Sequence, residues 1–155
     1  MSDKSAKPEV AIAILYQGDQ FLLQLRDDIP TIIWPGHWAF FGGHLEPGES
    51  PDDAVYRELR EEIGYDAPQL ELFERIEDET VVRHVYHGPL VVPVASLVLS
   101  EGLDLGLWSV ADIHQGKRYS ARASEERPIG APHQQILLSF LEHRRIEQAA
   151  LVQDL

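Results

Sequence analysis

At 155 residues, 44% of them hydrophobic and 25% charged, the chain can bury a substantial core and falls outside the disordered class. Its net charge of −13 excludes a nucleic acid polymer as partner, because such binding is driven by Lys and Arg on phosphate. A small anion remains open if metal ions neutralise its site locally. The absence of cysteine removes disulfides and thiolate metal sites. No apolar run reaches the roughly 18 residues of a membrane helix, and the polar N-terminus lacks a signal-peptide core, so the expectation is a cytoplasmic protein with no membrane partner.

Residues 1–8 read as a loose tail ahead of one domain over 9–155. Residues 10–16 and 21–26 are β-rich and flank the turn Gln17-Gly18-Asp19-Gln20, which predicts a hairpin. Pro30 and Pro35 make 27–36 a loop. A short apolar strand, 38–41, then runs into Gly42-Gly43. Segments near 70–78, 80–87 and 90–99 read as further strands, and 115–131 as a polar, turn-rich stretch. Pro132 opens a last helix, with Ile136, Leu137, Phe140 and Leu141 at helical spacing.

The helix over 51–63 is the best specified element. Ser50 suits the N-cap, Pro51 the first helical position, and Asp52 and Asp53 the positive end of the helix dipole. Ser50 with Asp53 matches a capping box, and Gly64 is the expected left-handed stop. Val55, Leu59 and Ile63 form the core face at i, i+4 and i+8. Glu58, Glu61 and Glu62 share an adjoining face, with Arg57 one turn before Glu61.

Three glutamates on a helix usually mean no more than a solvated face. Here they belong to a longer pattern: Gly43, Glu49, Arg57-Glu58-Leu59, Glu61-Glu62 and Gly64. Even seven of these eight positions coincide by chance only on the order of once in 10⁸ windows, at roughly 6% per residue type. The spacing suits a hard cation. Mg²⁺ takes oxygen ligands from one or two carboxylates, water and substrate phosphate. Glu58, Glu61 and Glu62 offer a rigid trio, Glu49 can close it from the preceding loop, and a carbonyl at Gly42 or Gly43 can add to it where no side chain intrudes.

From Gly43 to Tyr65 the chain resembles the signature box of the Nudix hydrolases, departing softly at Tyr65 and at Phe41, where the family often has an aliphatic residue and a proline. The resemblance implies an α/β/α sandwich (α+β) with a mixed central β-sheet. It implies divalent-metal-dependent hydrolysis of a phosphoanhydride bond in a nucleoside diphosphate linked to another moiety, such as a nucleoside triphosphate or nucleotide sugar. Mg²⁺ is the expected ion, with Mn²⁺ as substitute. Glu58 and Glu62 become the principal ligands, Glu61 and Glu49 their support, and Arg57 the residue that orients them; the general base stays open. Glu101 resembles a later loop carboxylate that some members use as ligand or base, and Arg26 a phosphate-contacting arginine. Trp38 and Phe40, with Trp34, are candidates to stack on a base, although apolar residues beside a strand also suit a core. His37, His44, His84 and His87 are expected to be peripheral, since magnesium-type ions prefer oxygen. Thr80 and Arg83 stand where some substrate marks of the family would be, and 22–26 only partly matches another. A homodimer is left open, with 90–99 as a contributing strand. The rival reading is a nucleotide-sensing module without turnover, against which the four complete box glutamates speak.

Overall fold

Alternation in the first strand sets the architecture. In β1 (Glu9–Gln17), Ile12 and Ile14 turn to one face, Ala11, Ala13 and Leu15 to the other, and all five are buried. The strand is therefore covered on both sides. The computed structural model describes residues 6–153, so most of the tail expected over 1–8 lies outside the described residues. What is described of it is tied down: Val82 donates its N–H to the Pro8 carbonyl, and Lys7 pairs with Glu77 at 2.9 Å.

The predicted hairpin forms between β1 and β2 (Gln20–Leu25), with Tyr16 opposite Phe21. The remaining strands are β3 (Trp38–Ala39), β4 (Phe41–His44), β5 (Glu71–Glu77), β6 (Val82–Pro89) and β7 (Asp104–Trp108). The main path of the mixed sheet runs β3-β2-β1-β6-β5, with β4 on β1 and β7 on β2. β1 pairs antiparallel with β4 (Ala11 to Gly43, Ile12 to Gly42) and parallel with β6.

Helices cover both faces. α1 (Pro51–Ile63) packs Val55, Leu59 and Ile63 against Ala11, Ala13 and Leu15, where the small alanines let the helix approach closely. α3 (Ala131–Gln153) lays Ile136, Leu137 and Phe140 over Ile12, Ile14, Phe21 and Leu23. No helix among the described residues is long and apolar enough to cross a membrane.

Two stretches differ from expectation. Residues 90–99 form no strand: they run as a covering segment with a 3₁₀ turn at Val94–Ser96. Val92, Val94, Leu97 and Leu99 pack against the core on the α1 side, so their apolarity answers to covering and not to pairing. No edge strand is thus available there for a dimer. The stretch 115–131 is also more ordered than its polarity suggests. α2 (Val110–Gln115) carries a complete capping box from Ser109 and Asp112, and β8 (Lys117–Ser120) pairs with β9 (Glu125–Pro128) in a separate hairpin.

Trp38 and Phe40 require a correction. Trp38 is 0% exposed and Phe40 3%; both sit in the α3-side core, with Trp38 edge-on to Trp108 at 5.6 Å. Neither ring has a face open to a ligand. Trp38→Ala should therefore lower stability by about 3–5 kcal/mol, read from urea unfolding. Unchanged stability with weakened ligand binding would restore the stacking role.

Candidate functional site

α1 begins and ends where its caps dictate. Ser50 Oγ accepts the Asp53 N–H at 3.1 Å, one half of the expected box, and Gly64 takes the left-handed conformation with φ 63°. Tyr86 of β6 donates to Asp52 and ties the first turn to the sheet. The carboxylate face of α1 is thereby held against β4.

Two glycines make that approach possible. Gly42 has φ 140°, and a Cβ there would fall 2.1 Å from the Ala11 carbonyl oxygen. A Cβ on Gly43 would fall 2.7 Å from Glu58 Oε1, so the Glu58 carboxylate lies directly over that backbone. Gly42 donates its N–H to Glu62 Oε2 at 3.1 Å. Burial pushes the Glu62 carboxyl up to about 8, against the Gly42 hydrogen bond, and the adjacent Glu58, close enough to share a proton, pushes the same way.

Arg57 gathers the other carboxylates. Its Nε and Nη2 hold both oxygens of Glu49 at 2.7 and 2.9 Å, and its Nη1 reaches Glu58 at 3.1 Å and Glu61 at 3.0 Å. Nη2 also donates to the His44 carbonyl. The fork lowers Glu49 to about 2, chiefly through its hydrogen bonds, and the same bonds raise Arg57. Glu49 thus stands as a partner of Arg57 and, unlike Glu58, Glu61 and Glu62, does not line the cleft beside α1.

That cleft has a volume of about 620 Å³. Arg26 lines it, has no ion pair among the described residues, and keeps its Nε buried without a hydrogen-bond partner. Glu101 enters from the segment after the 3₁₀ turn. Both the N–H and Oγ of Ser100 donate to the Glu62 carbonyl, at 2.9 and 3.1 Å, and Val98 N–H donates to that of Ile63. The segment carrying Glu101 is therefore clamped to the end of the helix carrying Glu58 and Glu62. A second depression, of about 610 Å³, is lined by Tyr16, Pro89, Leu90, Val92 and Arg144 and has no carboxylate in its walls.

Of the histidines, His84 pairs with Glu9 at 2.7 Å and His87 lies beside Tyr16. Tyr65, the soft departure from the box, is buried; its hydroxyl donates to the Pro89 carbonyl and accepts from Val91 N–H, fixing the start of the covering segment. Sequence reasoning missed Gln24, Ile29, Ile32 and Ser100, all in the cleft wall. Gln24 left a signal, a lone amide within the apolar run Phe21-Leu22-Leu23-Gln24-Leu25. Ser100 left none beyond its place beside Glu101.

Among the described residues no three histidine, aspartate or glutamate side chains converge as a ready-made metal cluster. Arg57 draws Glu58 and Glu61 to itself instead. The donor set nevertheless fits a hard divalent cation. It consists of oxygens alone, and the half-buried Glu62 carboxyl, pushed up by burial and by Glu58, carries a charge that a cation would offset.

The NUDIX domain model matches residues 6–112. An 8-oxo-dGTP diphosphatase of Proteus vulgaris is 44% identical over 50 residues, 32% of this chain and 45% of that one. A nucleoside triphosphatase NudI of Escherichia fergusonii is 47% identical over 47 residues, 30% and 32% of the two chains. The chain thus spans less than half the length of either relative. The NUDIX domain of Shewanella oneidensis NrtR, solved with ADP ribose, superposes with a TM-score of 0.68 at 19% identity, over 92% of this chain and 93% of that one, a likeness of fold.

The Glu62 proton has a stability consequence. Unfolded, the group titrates near 4.5; folded and metal-free, near 8. Between these values the folded chain holds the extra proton, so the group's stabilising contribution is complete below about 4.5 and is lost as pH rises toward 8. In chelator, the unfolding free energy of the native protein should fall across that window relative to Glu62→Gln. Parallel pH profiles for the two proteins would refute a protonated Glu62.

Proposed function

Since the chain belongs to the Nudix family, we propose that it is a hydrolase that cleaves a phosphoanhydride bond of a nucleoside triphosphate or closely related nucleotide with the help of Mg²⁺ or Mn²⁺. The observation that carries this reading is the carboxyl pair of Glu58 and Glu62 set over Gly42 and Gly43 at the wall of a cleft that also holds Arg26. The names of the matched relatives, an 8-oxo-dGTP diphosphatase and a nucleoside triphosphatase, support the substrate class.

Glu58 and Glu62 would hold the cation, with Glu61 beside them. When bound, a divalent cation supplies Lewis-acid polarisation of the phosphate oxygens and neutralises their charge. Arg26 would hold a phosphate, being a cation of the cleft with no carboxylate partner among the described residues. Arg57 would keep Glu58 and Glu61 in place through its hydrogen bonds to both. Hydrolysis requires the oxygen of a water to bond to phosphorus while the bridging P–O bond breaks and its electron pair leaves with the departing phosphate. The proton of that water needs a carboxylate. Glu101 fits this part: it lines the cleft, makes no hydrogen bond among the described residues, and stands on a segment clamped to α1.

The test is phosphate and pyrophosphate release with Mg²⁺ or Mn²⁺ from nucleoside triphosphates, nucleotide sugars, ADP-ribose and dinucleoside polyphosphates. Glu58→Gln should lower kcat/KM by roughly 10²-fold or more with the fold intact, as the loss of a charged ligand to a catalytic metal would. Near-native turnover by a folded Glu58→Gln protein would sink this reading. Metal-dependent binding without turnover by the native chain would instead make it a sensing module.

A further inference from the structure

The cleft has a second half that the hydrolytic chemistry leaves unused. Beside the carboxylates its wall carries Ile29, Ile32 and Gln24. Both isoleucines belong to the connection between β2 and β3, which turns large apolar side chains outward: Ile29 is 45% exposed, Ile33 69%, and Ile32 is half-buried. Such exposure within a cleft marks a place where a ligand covers the surface.

This connection is held in shape. Arg26 N–H donates to the His37 carbonyl and Gly36 N–H to that of Asp27, at 3.0 and 3.1 Å, closing the neck. Arg127 of β9 pairs with Asp28 at 3.2 Å and packs so closely on Gly36 that a Cβ there would fall 2.5 Å from its Nη1. Trp34 sits at φ 55°, a conformation that a bulky residue keeps only where its surroundings enforce it. The apolar tip is therefore a fixed wall, and β-branched isoleucines lose little further side-chain freedom on contact with a ligand.

Gln24 supplies the polar feature. It is buried in β2, and its Nε2 donates to the Phe40 carbonyl at 3.2 Å. A carbonyl can only accept, so the amide orientation is determined and Oε1 is left as an acceptor. That oxygen makes no hydrogen bond among the described residues and lies 3.5 Å from the Cβ position of Gly102, next to Glu101.

We propose that Ile29, Ile32 and Gln24 form the seat for the part of the substrate beyond its phosphates, and that this seat selects a nucleobase. The inference rests on the hydrolase reading and adds to it a choice among substrates. A base has an apolar face for the isoleucines and an N–H edge for Gln24 Oε1. The second sugar of a nucleotide sugar carries hydroxyls around its ring, and isoleucines leave those unpaired, which is costly on burial. Cleft size agrees: about 620 Å³ accommodates one nucleotide with its phosphates.

The experiment compares kcat/KM for a set of nucleoside triphosphates with that for inorganic tripolyphosphate, which has phosphates and no base. In Ile32→Ser the ratio of the two should fall roughly 10-fold, carried mainly by KM, the usual scale for polar disruption of an apolar contact. Ile32→Leu should recover most of the ratio. Ile29→Ser, on the more exposed side, should move it in the same direction and keeps the test available if Ile32→Ser does not fold. An unchanged ratio in folded serine variants would overturn the seat while leaving the hydrolase standing. Absence of turnover and of binding for both compound classes would remove the hydrolase reading first, and this inference with it.

Discussion

The close approach of β4 to α1 is the constraint on which the rest of the site depends. Gly42 and Gly43 leave no room for a side chain, since one would strike the Ala11 carbonyl and the other the Glu58 carboxylate. Because β4 pairs with β1 through Ile12–Gly42 and Ala11–Gly43, the register of the central strand decides where both glycines stand. Two of the three β1 residues that face α1, Ala11 and Ala13, are small, which sets the depth at which the helix docks. One strand register thus delivers a backbone N–H to Glu62 and a bare backbone surface to Glu58. A one-residue slip would exchange the two faces of β1 and dismantle core and site together.

Arg57 makes this arrangement tolerable before any ligand arrives. A cluster of carboxylates on one helix turn repels itself, and the half-buried Glu62 carboxyl is pushed up by burial and by its neighbour Glu58. Glu49, Glu58 and Glu61 share the Arg57 fork instead. The division is physical: Glu49, Glu58 and Glu61 have a guanidinium within reach, whereas Glu62 has only the Gly42 N–H. In the proposed reading a cation offsets the Glu62 charge, and Arg57 becomes the brace that keeps Glu58 and Glu61 from turning away.

How much of this the sequence disclosed depends on whether a local signal existed. α1 was legible to the residue, because Ser50, Pro51 and Gly64 each answer a local backbone need. The shared face of Glu58, Glu61 and Glu62 was legible because offsets of three and four residues on one helix bring side chains together. The covering segment at 90–99 was misread because apolar content alone cannot separate a paired strand from a chain that lies on a core. Its Pro93 was the cue, since proline cannot donate to a ladder. β7 left only a short, glycine-containing signal and owes its existence to β2, a partner distant in sequence, whereas the β8–β9 hairpin is local but its strands are polar and lack an apolar alternation. Trp38 illustrates the opposite error. Its composition suggested ligand stacking, but its place opposite Leu25 in the sheet buries it beneath α3.

Charge ties these observations to function. The chain carries −13 overall, and the vicinity of the cleft gathers Glu58, Glu61, Glu62 and Glu101 against Arg26 and an Arg57 already shared among four carboxylates. A polyphosphate approaching this surface meets repulsion that salt screens only beyond about 8–10 Å. Arg26 alone cannot offset it. In the proposed reading divalent cations would then be a condition for binding as well as for chemistry, because they would turn the local potential from repulsive to attractive for the substrate. The apolar half of the cleft is indifferent to this field, so the two halves act on different parts of a ligand: charge balance admits the phosphates, and the shape of the β2–β3 connection acts on what the phosphates carry. The acidity that would repel a polyanion would therefore also guard the site against small anions that arrive without a metal.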